Sequence, residues 1–178
     1  MIDNDGKVKK TSEITDDLSI PVPAVFVLSS SIDDFLSNSG LGDDQVITPL
    51  STIKNGIEDL VYNSGANEIT LPRGVYQISW VYEADSIEDI PSTCTLSSYF
   101  VDFPSDNGVV RIHSTAAHDS GYFINHGGTI TYTAVLNNSK NWPLKIGRGQ
   151  SGNCQGVSGI TLKAKSTQLT IFKLGDPD

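Results

Sequence analysis

From Ala24 onwards the chain alternates short apolar runs with punctuation by Gly, Pro, Asn, Asp and Ser, the pattern that antiparallel strands and their turns produce. The clearest run is Val75-Tyr76-Gln77-Ile78-Ser79-Trp80-Val81-Tyr82. Successive strand residues point to opposite sides, so Tyr76, Ile78, Trp80 and Tyr82 share a core face and Val75, Gln77, Ser79 and Val81 share the other. Ala24–Leu28 reads as a buried strand. Further strands are predicted at Val46–Ile47, Ile57–Tyr62, Ile69–Leu71, Thr95–Phe103, Gly108–Ser114, Thr129–Leu136, Leu144–Ile146, Ile160–Ala164 and Gln168–Leu174. They are divided by Gly40–Asp44, Pro72-Arg73-Gly74, Pro104–Gly108, His126-Gly127-Gly128, Asn137-Asn138-Ser139 and a Gly/Ser-rich loop over 147–159. Asn55-Gly56 is the strongest signal for a two-residue hairpin turn, and Ser31–Leu36 suits one helical turn capped by Ser31. About nine or ten strands with no crossover-length amphipathic helix predict an all-β, antiparallel two-sheet jelly-roll sandwich, not a parallel sheet.

Length and charge narrow the class. A chain of 178 residues is the size of one domain and buries about 70% of its unfolded surface unaided. Residues 1 to 23 are polar and charged without an apolar period and read as an arm or linker, leaving 24 to 178 as the jelly-roll domain. The formal net charge of −9 lacks the phosphate-neutralising cations that nucleic-acid binding needs. No apolar stretch is long enough for membrane insertion, and Met1-Ile2-Asp3-Asn4-Asp5 lacks the basic start and apolar middle of an export signal. Cys94 and Cys154 show no CxxC spacing, which argues against zinc or redox chemistry and leaves free thiols or a bridge open.

Several motifs invite chemistry and are answered by their surroundings. Asp3-Asn4-Asp5-Gly6 fails as a calcium loop, because with Gly6 sixth the first position is Met1 and the twelfth Ser12. Gly147-Arg148-Gly149-Gln150-Ser151-Gly152 fits G-x-G-x-x-G, but no helix pattern follows and no acid lies about 20 positions on, so it reads as a surface loop and no cofactor is expected. No G-x-S-x-G elbow exists for a nucleophile. The acids Asp33-Asp34, Asp43-Asp44 and Asp102 with Asp106 have the residue type for glycoside hydrolysis, yet carboxylates in turns of an acidic chain read as solvated caps. The expectation is therefore no enzyme. Asn137-Asn138-Ser139 matches the glycosylation triplet, which carries little meaning without a secretion signal. Trp80 reads as core. Asn141-Trp142-Pro143 offers either a sugar-stacking platform or packing in the core or an interface. Trp142, Arg148, Asn141 and Asp106 are the loop candidates for binding.

Thr48-Pro49-Leu50-Ser51-Thr52-Ile53-Lys54-Asn55-Gly56-Ile57 followed by Asn67-Glu68-Ile69-Thr70-Leu71-Pro72-Arg73-Gly74-Val75-Tyr76-Gln77-Ile78 resembles a pattern of tumour-necrosis-factor-like, or complement-head-like, domains on phage tail fibres and other virion proteins, written L-N-T-I and then I-T-L-P-A-G-T-Y-x-I. Leu169–Leu174 resembles their last strand. The sequence departs from the pattern at Ser51 and at Arg73 and Val75. The resemblance implies a homotrimer on a virion surface, made in the host cytoplasm. Two roles follow: attachment to a host-cell surface glycan or protein, or capsid decoration, with the arm gripping capsid or tail proteins. A polysaccharide-binding or polysaccharide-hydrolysing protein, or a bacterial trimeric adhesin head, is the alternative. In a trimer His118 and His126 are metal candidates against the plainer reading of exposed loop histidines.

Overall fold

The computed structural model describes residues 21–33, 44–46, 50–86, 96–117, 125–148 and 160–178, and at 44–46, 85–86, 96–98, 115–117, 125–126, 148 and 160 only the strand path. Thirteen strands run through the described residues: β1 (Pro23–Leu28), β2 (Asp44–Val46), β3 (Leu50–Asn55), β4 (Val61–Asn63), β5 (Glu68–Leu71), β6 (Gly74–Ser86), β7 (Leu96–Ser105), β8 (Gly108–Ala117), β9 (Asn125–Leu136), β10 (Lys140–Pro143), β11 (Lys145–Arg148), β12 (Ile160–Leu162) and β13 (Gln168–Gly175). Every pairing is antiparallel.

One layer runs β9-β6-β13-β1-β3, with β12 pairing the end of β6 beyond β13. The other holds β10-β5-β4 and β2-β11-β7-β8. Leu144 alone separates β10 from β11, so these two sheets are successive parts of one bent layer. The predicted alternation of β6 is the observed one, with Tyr76, Ile78, Trp80 and Tyr82 buried. They meet Tyr99, Val101, Phe103, Trp142, Leu144 and Ile146 from the facing layer in one core. The rings of Tyr82 and Tyr99 lie 5.3 Å apart and tilted, a geometry aromatic pairs favour.

The Leu71-Pro72-Arg73-Gly74-Val75-Tyr76 segment carries the chain between the layers. β5 and β6 do not pair, so this is not a hairpin reversal. Tyr76 points inward and its hydroxyl donates to the Pro72 carbonyl at 2.7 Å, closing the corner. Gly74 is required for room, not for φ: it lies outside the left-handed region, but a Cβ there would sit 2.9 Å from Cζ of Tyr76. Gly128 does the same for Tyr82, whose ring would lie 2.8 Å from an added Cβ.

Other expectations are corrected. Asn55-Gly56 is no two-residue hairpin, since β3 pairs with β1 and β4 with β5. The Asn55 side chain donates to the Leu60 carbonyl at 2.9 Å and holds a longer turn over Ile57–Leu60, with the strand starting only at Val61. The predicted strand over Ile57–Tyr62 is thus mostly turn, while β3, with Ser51–Asn55 exposed, was not expected. His126-Gly127-Gly128 lies inside β9 and does not divide strands. Within the expected helical turn, Ile32 bridges Leu162, and the Ser31 hydroxyl accepts the Ala164 amide at 3.0 Å. Residues 34–36 of that turn lie outside the described residues.

The sandwich has two unlike ends. At the base, Pro23 lies opposite Phe172, Gly175 opposite Val75, and Gly74 opposite Leu136. At the far end, Leu28 lies opposite Leu50, Ser86 opposite Ile160, Asp85 opposite Asn125, and Leu96 opposite Ala117. The strands flanking 87–95, 118–124 and 149–159 all stop at that far end.

Candidate functional site on the open sheet face

The alternation that buries Tyr76, Ile78 and Trp80 turns the intervening residues of β6 outward, and strand register extends them into rows. One row is Val25, Thr170, Ser79 and Thr131; a second is Val27, Gln168, Val81 and Thr129; a third is Pro23, Phe172, Gln77 and Thr133. Val75 and Val135 face each other beyond the third row. Nothing described packs on this face as a third layer. In a chain that is 19% charged, these rows contain no charged residue. Among the described residues, charge enters the face only at its margins, with Lys54 on the edge strand and, by register, Glu83 and Asp85 towards the far end.

Its polar groups bond sideways. The Thr131 hydroxyl meets that of Ser79 at 3.3 Å, and the Gln168 amide donates to the Thr170 hydroxyl at 3.0 Å. Val81 is 40% and Val135 50% exposed. A broad face of Val, Thr, Ser and Gln with internal hydrogen bonds loses little on desolvation, and charge depletion marks the centre of a protein interface. Its central rows hold no carboxylate, and no group of three or more metal-ligating side chains occurs among the described residues.

The residues singled out from sequence lie elsewhere and do not form one site. Trp142 is fully buried, stacks on Phe103 at 6.2 Å and donates its indole N–H to the Asp102 carbonyl at 2.6 Å. That corrects its candidacy as a sugar platform: β10 turns the ring inward, and core packing is the reading its burial fits. Asn141 is exposed but sits in β10 and not in a loop, accepting the Thr70 hydroxyl at 2.9 Å. Asp106 occupies the β7–β8 turn at the base, where its carboxylate accepts the Asn137 backbone amide at 3.0 Å and the Asn137 side-chain amide at 2.6 Å. Those hydrogen bonds, the side-chain one foremost, hold its pKa below the ordinary carboxylate value. Arg148 ends β11 opposite Tyr99, about 20 Å along β7 from the Asp106 turn. Arg148 and His126, the latter opposite Ala84 in β9, are described only as strand path. His118, Cys94 and Cys154 lie outside the described residues.

The remaining motifs resolve similarly. Gly147 and Arg148 belong to a strand, so the G-x-G-x-x-G segment starts inside β11. The Asp102 and Asp106 carboxylates do not act together, because Asp102 is committed to Arg111, with bonds of 2.7 and 2.8 Å. The Arg111 guanidinium also lies 3.7 Å over the Phe100 ring. This buried carboxylate with its cation was missed, yet the signal existed: a turn at Asp106-Asn107 pairs Ser105 with Gly108, and the same register pairs Asp102 with Arg111. A shallow cavity of about 260 Å³ at the base is bordered by Val22, Ile57, Glu58 and Lys173, and this lysine pairs with Asp176 at 2.8 Å.

Neither a protein-family model nor a curated protein matches the sequence. Solved structures match in shape. Eiger TNF from S. frugiperda is similar over 90% of this chain and 96% of its own, with a TM-score of 0.52 and 10% identity. Murine APRIL at pH 8.0 is similar over 87% and 100%, with a TM-score of 0.49 and 11% identity. The first likeness, with the strand order above, gives this chain a tumour-necrosis-factor-like jelly-roll fold.

Proposed function

We propose that the chain is a non-enzymatic head domain that assembles as a homotrimer through its open sheet face and works on a virion surface in attachment to host cells. The observation that carries the assembly is the uncharged face: its central rows run across four strands of an acidic protein without one ionised group. A cyclic threefold contact is heterologous, so each copy offers the face to a different surface of its neighbour, and closure of the ring also covers strand edges. Second and third copies of this chain are the occupants that satisfy both demands with no further component.

The two ends divide the labour. The base, where β1 begins and β13 finishes, faces the particle, and the arm of residues 1 to 23 attaches there to capsid or tail proteins. The far end, where the strands flanking 87–95, 118–124 and 149–159 stop, faces outward towards a surface glycan or protein. Three identical contact sets on one rigid body raise a weak affinity by about two to four orders of magnitude on a repetitive target. The virion setting is supported by the sequence resemblance of residues 48 to 57, 67 to 78 and 169 to 174. The non-enzymatic reading is supported by the acids themselves, since Asp102, Asp106 and Asp176 each serve a structural partner.

The test is saturable binding of purified protein to host cells and to undecorated capsids, measured side by side. Attachment requires binding to cells and competition with infection. Binding to capsids alone would assign the chain to capsid decoration, and release of reducing sugar from surface polysaccharide would make it an enzyme.

A further inference from the structure

The chain contains two Asn-Gly pairs, Asn55-Gly56 and Asn107-Gly108, and the structure places them in opposite surroundings. We infer that Asn107 is a site of spontaneous, selective deamidation in the folded protein, while Asn55 is protected by the fold. In this reaction the backbone nitrogen of Gly108 attacks the side-chain carbonyl carbon of Asn107. A new C–N bond forms, the bond from that carbon to Nδ2 breaks, and ammonia leaves with the amide proton. Water then opens the succinimide at either carbonyl, giving an aspartyl or an isoaspartyl residue. The only co-reactant is water, and the step is neither oxidative nor reductive.

Three features favour Asn107. It is exposed at the tip of the β7–β8 hairpin, and hairpin tips fray at little free-energy cost. Its side-chain amide makes no hydrogen bond among the described residues; only its backbone amide has a partner, the Ser105 hydroxyl at 3.4 Å. Gly108 has φ of +125° and open space where a Cβ would be, so no neighbouring atom crowds the Asn107–Gly108 peptide on that side.

Asn55 is exposed as well, but it differs in its hydrogen bonds and in the space around its glycine. Its Nδ2 donates to the Leu60 carbonyl at 2.9 Å, which holds the side chain in place. The Gly56 amide, the nitrogen that would attack, donates to the Pro23 carbonyl at 3.2 Å. A side chain at Gly56 would run into Val22, so the approach is also crowded.

The product has a structural consequence. An aspartyl group at 107 adds a second carboxylate beside Asp106, whose own carboxylate holds the β9–β10 turn through Asn137. An isoaspartyl group lengthens the main chain inside the turn, and the pairing of Ser105 with Gly108 cannot then be kept. Ageing of the protein thus loosens the link between two turns at the base and leaves the open sheet face untouched.

The experiment follows both Asn-Gly peptides by mass spectrometry during incubation of the full chain at mildly alkaline pH, native and in denaturant. The mass gain of an NH2 replaced by OH is expected at Asn107 in the native protein, with Asn55 intact. In denaturant both convert, and the ratio of their rates falls towards unity. Asn107→Gln removes the native conversion without lowering the thermal midpoint. Native Asn55 converting as fast as Asn107, or native Asn107 surviving a period in which the unfolded chain is fully converted, overturns the inference.

Discussion

Gly74→Ala puts a direct strain on the corner that joins the two layers. The residue's φ is ordinary for any amino acid, so on backbone grounds alone alanine would stabilise by about 0.4–1 kcal/mol through the unfolded chain. The structure opposes this. The added Cβ would lie 2.9 Å from both Cζ and the hydroxyl oxygen of Tyr76, and 2.8 Å from Cε of Lys173. The lysine end can swing aside, but the tyrosine is fully buried and anchored to the Pro72 carbonyl at 2.7 Å. Overpacking a buried ring costs about 1–3 kcal/mol, which outweighs the entropic gain. The net expectation is a loss of about 1–2 kcal/mol, or about 2–4 °C in Tm per kcal/mol, at matched protomer concentration. Chemical denaturation with an unchanged m-value is the assay. In a Tyr76→Phe background the penalty shrinks, because the ring loses its tether, and the coupling should be at least about 0.5 kcal/mol. A Gly74→Ala protein as stable as the parent, or more so, would falsify the steric account of the Pro-x-Gly-x-Tyr corner.

Other perturbations read out separate parts of the structure. Trp142→Phe removes the indole N–H that the Asp102 carbonyl accepts and thins the core, so denaturant stability should fall by about 1–3 kcal/mol, while binding to cells at matched folded concentration stays unchanged. Burial, with the Asp176 carboxylate adding to it, pushes the Tyr76 hydroxyl from 10.0 up to about 12. A raised folded-state pKa means that stability is full below pH 10 and declines as pH rises towards 12. An alkaline denaturation series should show that decline, and Tyr76→Phe should flatten it. Asp106 has the opposite sign: its depressed pKa means that the clasp on Asn137 holds above the ordinary carboxylate value of 3.8 and opens as pH falls below it, which amide exchange at Asn137 would report.

The core of the fold is readable wherever a strand has one wet face and one dry face. The β6 alternation assigns Tyr76, Ile78, Trp80 and Tyr82 without knowledge of any partner strand, because the side-chain period is fixed by backbone geometry. The same signal fails at β3, whose Ser51–Asn55 are all exposed, as an edge strand that covers little core carries no alternation. Asn55-Gly56 shows the limit of local turn chemistry: the dipeptide is compatible with a tight hairpin, but the Asn55 side chain instead ties down the longer turn to Leu60. His126-Gly127-Gly128 misleads for a similar reason, since Gly128 marks a close approach by the Tyr82 ring within a strand. The open face is half legible. Its β6 members can be read from sequence, whereas Thr131, Thr170 and Val25 join them only through long-range register, which a single strand does not specify. Trp142 needed the direction of β10 to be known before its ring could be placed inside.

The measurement closest to the central claim is sedimentation equilibrium at micromolar protomer, on the parent chain and on Ser79→Asp. Ser79 lies in the middle row of the open face, away from Lys54 and Glu83, so in a free protomer the new carboxylate is solvated and the sandwich keeps its thermal unfolding profile. In the assembled state three unpaired carboxylates would be buried, at a cost of several kcal/mol each. The account predicts a trimer for the parent and a species near 19.1 kDa for Ser79→Asp. A parent chain that sediments near 19.1 kDa, or a Ser79→Asp protein that remains trimeric, would contradict it.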